Sequence, residues 1–102
     1  EFGRRHQISQ KTIYRAQSVF EELCVQILLP QLPEHFGLLL TCSYAPQEER
    51  MTMRLRYSGP AFDPAHSDNA LSLALVRNAA EQIAYAPIDE DGMTNQVDVT
   101  IR

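Results

Sequence analysis

The eight residues from Arg50 to Tyr57 alternate without a break, and this leaves the chain little freedom in what it can fold into. Met51, Met53, Leu55 and Tyr57 fall on one side, and Thr52, Arg54 and Arg56 on the other. A period of two is that of a strand, and one apolar side means a strand covered on one face only. Leu38–Tyr44, LLLTCSY, is a second apolar run rich in strand formers. The polar segment Pro46-Gln47-Glu48-Glu49 between them reads as a turn. A hairpin with one buried face follows. Its cationic side is read as a solvated face, with contact to an anion as the alternative.

Two amphipathic helices supply the cover. Ser9 can cap a helix starting at about Gln10. Within it Ile13, Ala16, Phe20, Leu23 and Ile27 recur at three- and four-residue spacing, widened by Val19, Cys24 and Leu28. Pro30 and Pro33 end that helix, because neither can donate a backbone hydrogen bond. After the strand break at Ser58-Gly59-Pro60, Asp68 or Asn69 can cap a second helix. Leu71, Leu75, Val76, Ala79, Ala80 and Ile83 would form its apolar side. Ile83–Ala86 can leave the helix as a short strand. Asp89-Glu90-Asp91-Gly92 then gives a strong turn signal, and Val97, Val99 and Ile101 alternate in a last strand. The order is helix, strand, strand, helix, strand, strand. The class is α+β: a mixed, mainly antiparallel sheet with two main helices on one face.

Residues 1–8 read as a tag remnant and leader, with Glu1-Phe2-Gly3 as the remnant, and residues 9–102 as a single domain cut from a longer protein. The formal net charge of −4 argues against a nucleic-acid surface, which needs a basic stripe. No apolar run approaches the roughly 18 residues of a membrane span, so no direct membrane contact is expected. Cys24 and Cys42 lie in apolar runs without C-x-x-C spacing and read as buried free thiols, which fits a reducing, cytoplasmic location. His6, His35 and His66 have no metal-ligand spacing. Met51 and Met53 read as core gap-fillers.

The run FEELCVQIL, the hairpin, SGPAFDP, LSLALVRNAAEQIAY, the D-G turn and TNQVDVTIR together resemble the GHKL, or histidine-kinase-like, ATPase fold. The likeness is to its anti-sigma-factor serine-kinase branch, and it spans Ile8–Arg102. It implies a Bergerat-type α/β sandwich, here truncated before the first helix, and a nucleotide site with three motifs. In the first, E-x-x-x-N, Glu22 matches the general base, and Gln26 stands where the Mg²⁺-holding Asn belongs. Gln is one methylene longer, and Mg²⁺ tolerates poor geometry badly. In the second, D-x-G, Gly59 matches, but Tyr57 stands at the adenine-binding Asp, with Ser58 the nearby small polar group. In the third, G-x-G-L, the chain has Asn69-Ala70-Leu71-Ser72-Leu73, so side chains stand where glycines would admit phosphate. The lid, Ala65–Asn69, is short.

By position, the resemblance places Gln26, Tyr57, Ser58, Gly59, Asp63, Ser72 and Arg77 around the nucleotide, with Glu22 as the catalytic candidate. The plainer readings are a surface or helix-edge carboxylate for Glu22, a turn-ordering Asp63, Arg77 paired with Glu81, and a turn-stabilising Asn95 in the closing hairpin. With all three motifs altered, the expectation is a scaffold without useful ATP or Mg²⁺ binding. It would act as a regulatory module for a protein partner, in a bacterial-type protein. The alternatives are an ATP-dependent protein serine kinase of the anti-sigma type and a small-molecule sensor with Tyr57 in its pocket. An edge strand left unpaired would invite a homodimer.

Overall fold

Ser9 opens the first helix as read: its hydroxyl oxygen accepts the backbone N–H of Thr12 at 3.2 Å. The computed structural model describes residues 9–32 and 34–102. The leader, with its remnant and His6, and also Pro33, lie outside the described residues. Helix α1, Gln10–Val19, runs directly into a π-helical segment, Phe20–Leu28, and a 3₁₀ turn, Leu29–Gln31. The π spacing shows at its end, where the Leu29 N–H donates to the Cys24 carbonyl. Pro30 sits inside the closing 3₁₀ turn.

Strands β1 (Leu38–Ala45), β2 (Arg50–Tyr57), β3 (Gln82–Glu90) and β4 (Met93–Ile101) form one sheet in the order β1-β2-β4-β3. Every neighbouring pair is antiparallel, so the parallel component allowed for by a mixed sheet is not found among the described residues. Helix α2, Ala70–Ala79, joins the two hairpins. Asn69, not Asp68, caps it: its side-chain oxygen accepts the Ser72 N–H at 3.2 Å. The fold is α+β, with both helices on one face of the sheet.

The alternation in β2 holds residue for residue. Met51, Met53, Leu55 and Tyr57 are buried, together with Val97, Val99 and Ile101 on β4. Val19, Leu23, Cys24, Ile27, Leu28, Leu73 and Val76 pack onto them from the helices. The outer face is solvated as read, and the chain supplies carboxylates of its own to its arginines. Arg54 lies opposite Asp98 and donates to both its oxygens, at 2.8 and 3.2 Å. Arg50 reaches Glu81 at 2.8 Å, and Arg56 reaches Glu90 at 3.2 Å and Gln96 at 2.9 Å. These are exposed cross-strand pairs and contribute little each.

Three sequence expectations shift. Phe20, read into the buried stripe, is 43% exposed, since burial follows Val19, Leu23 and Ile27 and leaves it at the margin. In α2 the buried positions are Ser72, Leu73 and Val76, while Leu71 is 73% exposed and Leu75 40%. The helix ends at Ala79, so Ile83 belongs to β3, and β3 runs on to Glu90 rather than turning at Asp89. The turn is the two-residue Asp91-Gly92, both at positive φ (53° and 81°), which is the backbone a tight hairpin requires. Among the described residues no helix is long and apolar enough to cross a membrane.

The two thiols differ. Cys24 is buried as expected; Cys42, on the edge strand, is exposed, since nothing described covers β1 there. Burial, and to a lesser extent neighbouring Cys42, pushes the Cys24 thiol from 9.0 up to about 12. Its folded pKa is therefore raised above its unfolded value. The stability tied to the protonated thiol is complete below about pH 9 and is lost as pH climbs toward about 12, because the unfolded chain releases the proton first. The urea midpoint should fall between about pH 8 and about pH 10.5, and fall less in Cys24→Ala. Partial burial also raises the Cys42 thiol, but its exposure means that a disulfide reagent should label Cys42 in the folded chain and Cys24 only in denaturant.

Candidate functional site

The positions carried over from the three nucleotide motifs fall into separate clusters, and most are occupied by the chain's own contacts. Glu22 lies in the π-helical segment, half-buried against α2. The Ser72 hydroxyl donates to its Oε1 at 2.8 Å. Ser72 is 5% exposed, so this bond ties the first helix to the second at the start of α2. The free N–H groups that make a helix N-terminus an anion site are partly taken here, with Asn69 holding the Ser72 N–H. Gln26 is exposed, and its backbone carbonyl accepts from the Asn69 side chain at 3.4 Å. Glu22, Gln26, Asn69 and Ser72 are thus brought together. Of the plain readings of Glu22, a helix-edge carboxylate describes it better than a surface one: it is half-buried, and its oxygen is used in a helix–helix contact.

Tyr57 ends β2 with no accessible surface. Its hydroxyl donates to the Phe62 carbonyl, across the bend that follows the strand. Burial, then Tyr85 and Asp63 nearby, raises its pKa well above the ordinary phenol value. Ser58 turns away from this point: its Oγ accepts the Gly37 N–H at 2.7 Å, while its own N–H donates to the Gly37 carbonyl at 3.1 Å. Gly59 has φ 98°, a backbone that side chains resist, and its carbonyl accepts from Thr94 Oγ1 at 2.8 Å. Asp63 orders the next turn by accepting the Ala65 N–H at 2.9 Å, the role read for it from the sequence.

Arg77 stands apart from these groups. It is exposed near the C-terminal end of α2, on a groove of about 210 Å³ with Ala65, Ala80, Glu81, Gln82 and Ile83. The expected pair with Glu81 does not form. Glu81 lies beyond the helix end and is held by Arg50 and, at 3.6 Å, by Arg102.

The residue that organises the region is Asn95, read from the sequence as a turn-stabilising side chain in the closing hairpin. It is fully buried in β4. Its Oδ1 accepts from the Phe62 N–H at 3.1 Å and from the Tyr85 hydroxyl. Its Nδ2 donates to the carbonyls of Tyr57 and Pro60 at 3.4 and 3.2 Å. The turn it stabilises is the one after β2, which lies beside its own hairpin at the same end of the sheet. The signal was present: Asn95 continues the inward positions Val97, Val99 and Ile101, and a polar group there must find partners. Compared with known protein families, curated proteins and solved structures, the chain matches none of them.

Proposed function

We propose that the chain is a histidine-kinase-like ATPase-type domain that has given up its nucleotide chemistry and works as a regulatory, protein-binding module of a larger protein. The observation that carries this reading is the state of Tyr57. At the position where the resemblance puts an adenine-binding Asp, a fully buried ring is fixed by its own hydroxyl to the Phe62 carbonyl. A base could enter only by displacing it. Two further contacts point the same way. Glu22 already accepts from Ser72, and one of the N-terminal donors of α2, the Ser72 N–H, is engaged by the Asn69 side chain. The side chains present fit neither adenine nor a Mg²⁺ triphosphate. A sensor with a pocket lined by Tyr57 has the same obstacle, since that ring has no accessible surface. The exposed Leu71 and Leu75 on α2 offer an apolar patch for a partner next to the short lid.

Calorimetric titration with ATP, with and without Mg²⁺, tests the proposal. No saturable heat up to millimolar ATP is the expected outcome. Micromolar binding would overturn it in favour of the serine-kinase reading, and loss of phosphotransfer in Glu22→Ala would then establish that reading.

A further inference from the structure

Among the described residues the sheet has two edges, and they are unlike. β3 forms one. It carries Pro87, Asp89 and Glu90, and its register with β4 breaks between Pro87 and Glu90. Proline, charge and irregularity are what keep an edge from pairing. β1 forms the other. Its sequence, LLLTCSYA, has no charge and no proline, and its register with β2 is unbroken from Leu38 opposite Tyr57 to Ala45 opposite Arg50. Leu38–Ser43 are exposed throughout.

The register fixes which peptide groups of β1 have no partner among the described residues. The Ser58 N–H donates to the Gly37 carbonyl, so Gly37 directs its peptide groups toward β2. Antiparallel alternation then turns Leu39, Thr41, Ser43 and Ala45 toward β2, and directs the N–H and C=O of Leu38, Leu40, Cys42 and Tyr44 off the sheet. These same four residues lie on the helix side of the sheet, opposite Tyr57, Leu55, Met53 and Met51. Leu38 and Leu40 are 36% and 37% exposed there. Cys24, on the first helix, lies near Cys42 of this strand, with Phe20 one turn before it.

We propose that β1 pairs antiparallel with β1 of a second copy, about a two-fold axis normal to the sheet at Thr41. The strand is complementary to itself. With Thr41 opposite Thr41, Leu38 meets Tyr44 and Leu40 meets Cys42, so every outward peptide group of the strand finds a partner. Centring on Leu40 or Cys42 leaves one outward residue of each copy unpaired. The chain carries a net charge of −4, but none of it lies on β1, so two copies meet there without like-charge repulsion. The axis keeps both pairs of helices on one side, and the exposed leucines of the two strands become neighbours. This surface is independent of the nucleotide reading.

Sedimentation equilibrium of the 102-residue chain at rising concentration tests the proposal. The mass should climb to twice that of the monomer and stop. Leu40→Lys, which leaves the backbone intact and charges the edge, should stay monomeric with an unchanged circular dichroism spectrum. The register is read by disulfide trapping in a Cys42→Ser background. Thr41→Cys should cross-link two copies when oxidised by glutathione disulfide, because a non-hydrogen-bonded pair brings the Cα atoms to about 4.5 Å, within disulfide range. Ser43→Cys, which faces Leu39, should not. A chain that stays monomeric to millimolar concentration, a dimer indifferent to Leu40→Lys, or equal trapping at both positions would overturn it.

Discussion

Asn95→Ala is expected to lower the unfolding free energy by about 3–4 kcal/mol, out of the roughly 5–15 kcal/mol typical of a domain. The substitution removes an amide that bonds to five other residues, Tyr57, Pro60, Phe62, Tyr85 and Thr94. The Phe62 N–H and the Tyr85 hydroxyl lose an acceptor, and each buried orphan costs about 1–3 kcal/mol. The Pro60 carbonyl is spared the full cost, since Pro60 is exposed and water can reach it. Urea unfolding followed by circular dichroism reads the change as a lower midpoint at constant slope. A loss under about 1 kcal/mol would mean that these bonds do not form in solution.

Tyr57→Ala is expected to cost about 3–5 kcal/mol, the range for removing a large buried aromatic group. Tyr57→Phe separates the two contributions. It keeps the ring and leaves only the Phe62 carbonyl without its donor, for about 1–2 kcal/mol. The same unfolding measurement applies. Tyr57→Phe and Asn95→Ala should also fall short of additivity, because both residues fasten the bend at residues 59–62 and the second cut finds it already loosened. Strict additivity would mean that the two residues hold separate structures.

Much of the fold could be read from periodicity alone. β2 is the clearest case: one strand buried on one side yields both its inner residues and the need for helices over them. Caps and turns were legible for the same local reason, as at Ser9 and Asp91-Gly92. What could not be read depends on which neighbour covers a face. Cys42 and Leu40 have core-type sequence surroundings and sit on the helix side of the sheet, yet they stay exposed because β1 is an edge. Leu71 and Leu75 fit a helical stripe, but α2 turns Ser72 inward to meet Glu22. The candidate site was legible only as positions. Whether Tyr57 lines a pocket or fills it depends on Phe62 and Asn95, distant from it in sequence or around a bend.

The strand order also bears on how the chain folds as it is made. Each hairpin is local and can form quickly. The two hairpins are united by β2 and β4, which pair Met51 with Ile101, and β4 is a central strand. Until residues 93–101 are available, β2 has no partner on its inner edge, and the cover for Met53 and Leu55 is incomplete. The slow step should therefore be the docking of the second hairpin against the first, a closure over the whole α2 connection. A ribosome-bound chain lacking β4 would display the β1–β2 hairpin with both long edges open, which makes chaperone capture most valuable at that moment of synthesis.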